Sequence, residues 1–300
     1  MHRSRRKKFS RIGNEPVGYL FIAPFYLFFI FMVLLPIFNG IINSFTNYDL
    51  YKTNDFVGLE NYRDLFHDPI FLQSVWNTLI YSAFYIVPTM VLGLLLGLLM
   101  SRESRGYQFL RAGFYLPYII SMVCASTIWL WIFDPTAGVL NQTLRSLGLG
   151  TYDWLKDPNM AMGCVVFVSV WKNMGYCMLI YLSGLKGIPA YLYEAAEIDG
   201  ARRMQRFWYI TLPMLQPTTF FLFITSCISS FNVFEQVNVL TNGGPLNTTT
   251  TIVHQIYLRG FTQFKMGYAS AMSVVLLLIV CLITLINFRF GNQGQDTDIG

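Results

Sequence analysis

Gly187-Ile-Pro-Ala-Tyr-Leu-Tyr-Glu-Ala-Ala-Glu-Ile-Asp-Gly-Ala-Arg-Arg-Met-Gln-Arg-Phe-Trp-Tyr-Ile-Thr-Leu-Pro213 is a polar island between two long apolar runs. Pro189 suits the first turn of a helix, where its missing N–H costs nothing. Leu192, Ala195, Ala196 and Asp199 then fall at i, i+3, i+4 and i+7 and share one face. Two alanines keep that face thin, so a second protein can come close. Gly200 can take the positive φ that ends a helix and turns the chain. A second short helix follows to about Ile210, and Pro213 opens the next apolar run. Charge segregates as well: Glu194, Glu197 and Asp199 precede Arg202, Arg203 and Arg206. On these features alone, a solvated linker helix and a docking helix are equally good readings.

The rest of the chain says what the island is set in. Of 300 residues, 54% are apolar and 12% charged, against about 25% charged in an ordinary globular domain. Mean hydropathy is +0.46. There is too little polar surface to wrap one water-facing core, so lipid must be the solvent for much of the chain. Six stretches supply the roughly 20 apolar residues a crossing helix needs: 17–42, 74–100, 113–133, 161–185, 217–240 and 266–288. The first is too long for a secretion signal and shows no small-residue cleavage pattern before Asn43. An all-α protein of six transmembrane helices is expected, with one permease-sized domain over 17–290, a basic tail over 1–16 and a polar tail over 291–300.

Fourteen of the 21 Lys and Arg lie on the side of the N-terminus (six of them Arg3, Arg5, Arg6, Lys7, Lys8 and Arg11). Six lie on the other side, and Lys172 sits within a span. Such a bias puts both termini and the 186–212 island in the cytoplasm. It also reads the basic tail as membrane orientation, not nucleic-acid binding. The five cysteines fall in apolar runs without C-x-x-C spacing and read as small buried hydrophobes. His2, His67 and His254 offer no metal-ligand spacing. Ser183-Gly-Leu-Lys186 matches a nucleophile pattern by chance, without partner motifs, so no catalytic residue and no enzyme site emerge. Gly93-x-x-x-Gly97 is a close-packing pattern.

The string Glu194-Ala195-Ala196-x-x-Asp199-Gly200-Ala201, followed by Phe207, Ile210, Leu212 and Pro213, resembles the EAA loop of importer-type ABC permeases. Phe56-Val57-Gly58-Leu59-Glu60-Asn61-Tyr62 resembles their sugar-uptake branch, of the maltose and glycerol-phosphate type. So do Leu240-Thr241-Asn242-Gly243-Gly244-Pro245 and Gly267-Tyr268-Ala269-Ser270-Ala271. The likeness covers about residues 18–285. It implies the type I importer permease fold in a bacterial inner membrane. Glu194, Ala195, Ala196, Asp199, Gly200, Ile210, Leu212 and Pro213 would couple to one of two cytoplasmic ATPase subunits, which use ATP and Mg. This chain would bind no cofactor, in keeping with the missing G-x-x-x-x-G-K-[ST] loop. The likeness further implies a second, unlike permease as heterodimer partner and an extracytoplasmic solute-binding protein. The maltose-type relative has extra N-terminal spans and a large external insertion that this chain lacks.

Lys172 lies midway along the fourth span, where an ion costs roughly 2.5–3.5 kcal/mol on insertion scales. It must face a polar interior, with Asn173 beside it. Asn232, Glu235 and Gln236 lie near the external end of the fifth span. These five are the candidates for a substrate pathway; the alternative for Lys172 is a structural pair with a carboxylate or carbonyl of another helix. Di- and oligosaccharides and glycerol phosphate compounds all fit as cargo. The rival reading is a self-contained secondary transporter or channel, which would show coupling carboxylates deep in the spans.

Overall fold

A computed structural model describes residues 16–51, 54–102 and 104–291. The basic residues before Pro16, Lys52 and the polar tail beyond Gly291 lie outside the described residues. The chain runs α1 (Pro16–Phe29), a π-turn (Ile30–Leu34), α2 (Leu35–Asn43), α3 (Glu60–His67), α4 (Pro69–Leu99), α5 (Arg105–Ile119), α6 (Met122–Ile132) and α7 (Val139–Ser146). It continues as α8 (Ala161–Lys186), α9 (Ala190–Ile198), α10 (Arg203–Arg206), a π-turn (Phe207–Thr211), α11 (Leu212–Met214), α12 (Gln216–Phe231) and α13 (Glu235–Leu240). Then come α14 (Ile252–Tyr257), a third π-turn (Leu258–Thr262) and α15 (Met266–Gly291). Among the described residues the only β feature is one isolated bridge, Thr46 to Phe56.

Four helices are long and apolar enough to cross a membrane unbroken: Phe21–Asn43, Pro69–Leu99, Ala161–Lys186 and Met266–Arg289. Two bent pairs bring the total to as many as six. The α4 helix starts five residues earlier than hydropathy alone suggests. Pro69 occupies its first turn, and the Asp68 carboxylate accepts the N–H groups of Ile70 and Phe71 at 2.9 and 3.4 Å, a capping arrangement that satisfies otherwise orphaned donors.

The spine of the molecule is α4 packed along α8. Gly93 and Gly97 make this possible: a Cβ on Gly93 would lie 2.5 Å from Cys177 Cβ, and one on Gly97 3.3 Å from Tyr181 Cβ. On the other flank, α8 meets α5 so closely that Gly175 rests against the Phe114 carbonyl.

Two expected spans are not single helices. The 113–133 run divides into α5 and α6, whose axes differ by 98°. The extended residues Ile120 and Ser121, each with ψ 141°, make the corner. Pro117 already weakens the preceding turn by removing a donor. Likewise the 217–240 run stops at Phe231 and restarts as α13, with Phe234 far from helical backbone at φ −144°, ψ −60°. At this break the Asn232 amide turns back onto the Ile228 carbonyl at 2.8 Å, a local bond that competes with the helix ladder. Hydropathy does not register the first corner, because both of its arms are apolar; at the second, α13 opens on Glu235 and Gln236, whose polarity reads as the end of a span and not as a bend. One more expectation is corrected: Cys164, Cys177 and Cys227 are buried, but Cys124 and Cys281 are exposed.

Candidate functional site: a polar cavity and a surface helix

The two corners open onto the same place. A cavity of about 360 Å³ lies between α4, α8 and the α12–α13 break, and Lys172, Asn173, Asn232, Glu235 and Gln236 all line it. Its walls also include Tyr81, Tyr85 and Ser229. Lys172 is only 9% exposed. Its ammonium donates to the Tyr118 carbonyl at 2.9 Å and lies 5.3 Å from the centroid of that ring. The α5–α6 corner frees this carbonyl from the helix ladder, and a cation at a helix C-terminus is favoured by the partial negative charge there. Gln236 is equally hidden, donating to Tyr81 Oη at 3.0 Å and Ser169 Oγ at 3.1 Å. Asn173 donates to the Ser169 carbonyl at 2.8 Å. Asn232 and Glu235 are exposed. The stacked pair Tyr81 and Tyr85, 5.6 Å apart and nearly coplanar, was not foreseen, because tyrosine in an apolar run reads as core. Their i, i+4 spacing on the α4 face that carries Ser74, Thr78 and Ser82 was the available signal.

At the other end of α8 the island folds as α9 to α11. Leu192 and Tyr193 pack into a cluster with Tyr181, Ile188 and Leu215, and Ile210 joins it. The Tyr193 and Thr211 hydroxyls stand 2.9 Å apart, and Arg206 pairs with Glu197 at 3.1 Å. The α9 helix ends in a Schellman turn. Ala201 N–H donates to Ala196 O at 2.8 Å, Gly200 N–H donates to Glu197 O at 3.1 Å, and Gly200 takes φ +73°.

Seating α9 through Leu192 rotates its free face from the one the sequence suggests. Tyr191 (65% exposed), Glu194, Ala195 and Ile198 (88% exposed) form the outward stripe, while Ala196 is half-buried. Asp199 and Gly200 are exposed at its end. Leu212 and Pro213 lie elsewhere, in an apolar groove of about 540 Å³ shared with Met90, Phe220 and Phe223.

The loops at the N-terminal end of α4 are fastened from within. Asn61 donates to the carbonyls of Ser44 and Thr46 at 2.9 and 2.8 Å, holding the stretch after the first span. Asn77 donates to the carbonyls of Asn247 and Thr250 at 2.8 and 2.9 Å. Thr249, Thr250 and Thr251 are fully buried. His254, also buried, stands 3.1 Å from Thr250 Oγ1, and burial lowers the pKa of its imidazole. Asp68 links two loops, accepting from Arg259 at 2.9 Å and from Tyr268 Oη at 3.1 Å.

This arrangement is that of a transport permease, and comparison with known proteins places it further. The model of the family "Binding-protein-dependent transport system inner membrane component" matches residues 89–292, and the chain belongs to that family. It is an integral membrane permease subunit of the ABC importer class. It is 35% identical to the probable ABC transporter permease protein YurN of Bacillus subtilis (strain 168), over 94% of this chain and 98% of that protein. It is 36% identical to the sn-glycerol-3-phosphate transport system permease protein UgpA of Agrobacterium fabrum, over 92% of this chain and 95% of that one. A chain in the crystal structure of a bacterial ABC transporter that imports the acidic polysaccharide alginate superposes with a TM-score of 0.84 at 25% identity, covering 92% of this chain and 95% of that chain.

Proposed function

We propose that this chain is one of two unlike permeases in a bacterial inner-membrane importer for a carbohydrate, driven by two cytoplasmic ATPases and supplied by an extracytoplasmic solute-binding protein. The observation that carries this reading is α9: a short helix fastened to the body on one side and bare along Tyr191, Glu194, Ala195 and Ile198 on the other. In this reading the stripe seats on an ATPase subunit, which holds the ATP and Mg while this chain holds neither. Glu194, Ala195 and Asp199 lie at the contact, and Gly200 lets the chain leave it. Ala196, Ile210, Leu212 and Pro213 carry the motion inward.

The path for that motion is short. The cluster under α9 includes Cys177 and Tyr181 of α8, roughly one to two and a half turns from Lys172 and Asn173. A push on α9 therefore moves the cavity wall that bears these residues. Lys172, Asn173, Asn232, Glu235 and Gln236 line the substrate pathway, where the exposed Asn232 and Glu235 offer hydrogen-bonding groups suited to sugar hydroxyls and the buried Lys172 and Gln236 hold the wall. The names of relatives, a glycerol phosphate permease and an alginate importer, support a polyhydroxylated cargo.

Gly200→Leu tests the coupling. No atom lies within 4 Å of a Cβ at this position, so the cost to the fold is the left-handed backbone alone, about 1–2 kcal/mol. The variant inserts and accumulates normally, but ATP-driven uptake is abolished in vesicles reconstituted with its companions. Normal uptake by the variant overturns the coupling role.

A further inference from the structure

Resting on the reading of the cavity as a substrate pathway, we propose that it selects an uncharged polyhydroxylated solute over a phosphate ester or a uronate, and that Glu235 is the specificity-determining residue. Two charged side chains line the cavity, and they are not equivalent. The Lys172 ammonium is drawn into the wall, donating to the Tyr118 carbonyl at 2.9 Å over the Tyr118 ring. That carbonyl belongs to the C-terminal end of α5, so the wall itself balances much of the positive charge. Glu235, at the first position of α13, is exposed. The cation is thus spent on holding the α5–α6 corner, while the carboxylate stays open to the solute.

To an arriving phosphate or carboxylate the cavity presents Glu235 exposed and Lys172 withheld in its wall, and like charges repel across a confined space. A sugar hydroxyl is the reverse case, since it donates to the carboxylate in a charge-assisted hydrogen bond. The other exposed groups, Asn232 and Ser229, are neutral donors and acceptors of the kind hydroxyls use. Gln236 is occupied by Tyr81 and Ser169 and serves to position the tyrosine pair.

The test reads the sign of the potential directly and needs no knowledge of the cargo. Asn232→Cys is placed in the intact transporter, with Cys124, Cys164, Cys177, Cys227 and Cys281 replaced by serine or alanine. Its modification rate is measured with the anionic 2-sulfonatoethyl and the neutral 2-hydroxyethyl methanethiosulfonates, each divided by the rate with a free thiol. The anionic reagent is expected to be at least about threefold slower, and Glu235→Gln is expected to remove the difference. An anionic rate equal to or above the neutral one overturns the charge selection while leaving the pathway intact. Should Asn232→Cys fail to assemble, Ser229→Cys serves as the second probe. If neither reagent reaches the assembled probe, the cavity is closed to water; the pathway reading fails, and charge selection falls with it.

Discussion

Gly200 and Gly243 hold the same left-handed backbone, at φ +73° and +79°, each in a polar segment between helices. Around Gly200 a side chain would find open space within 4 Å; at Gly243 it would run into the His254 ring, 2.7 Å from Cε1. The α9 island leaves a stripe bare, whereas the 241–257 segment turns its polar groups inward, onto one another through Thr249, Thr250 and His254 and onto Asn77 of α4. Two loops with the same backbone device but different composition, six charged residues in one and the run Thr248–Thr251 in the other, therefore do opposite things. The one that satisfies its own groups is a fastener; the one that leaves a face open is built for a partner.

Substitutions in the 241–257 segment should be read in stability, and those in α9 in uptake. The largest effect is expected for Gly243→Val, which adds a left-handed β-branched residue to a collision with His254. A loss of about 3–5 kcal/mol follows, seen as poor accumulation or a sharply lowered melting temperature in detergent. A variant as stable as Gly200→Leu would break the comparison.

Asn77→Ala comes next. It removes the amide that donates to the buried Thr250 carbonyl and to the carbonyl of the exposed Asn247 and should cost about 1–3 kcal/mol, again measured by thermal unfolding. Uptake per assembled transporter should stay near normal.

The smallest effect is that of pH. His254 is held with its pKa below the ordinary histidine value by burial. Its contribution to stability is therefore complete above about pH 6.5 and is lost as the medium acidifies through the lowered pKa. The melting temperature should fall below that pH in the native protein and fall less in His254→Gln. Equal slopes would remove His254 from the account.

The sequence carried the large features for physical reasons. Runs of about 20 apolar residues have one stable setting, in lipid, and the placement of Arg102, Arg111, Arg202 and Arg203 indicates a side. The polar residues of the cavity were legible because Lys172 and Gln236 are costly in an apolar run and so must meet one another's surroundings. What it could not carry were the corners at Ile120–Ser121, where a bend between two apolar arms changes no residue type, and at Asn232–Phe234, where Glu235 and Gln236 read as the polar end of a span. Tyr81 and Tyr85 were hidden for a related reason, because a ring lining a cavity and a ring in a core have the same composition. The free face of α9 was misjudged by one position because Leu192 was read as part of the outward face. Its apolar side chain instead anchors the helix to Tyr181 and Leu215.

One measurement tests the central claim, that α9 hands an ATPase's motion to this chain. A photo-crosslinking residue is placed at Ile198, the most exposed position of the α9 stripe, in the native membrane. The same probe is placed at Leu246 on the 241–257 segment as its counterpart. Mass spectrometry of the adducts should identify a subunit with a nucleotide-binding phosphate loop at Ile198 and not at Leu246. Adducts at Ile198 that contain only lipid, or proteins without such a loop, while assembly is intact would contradict it.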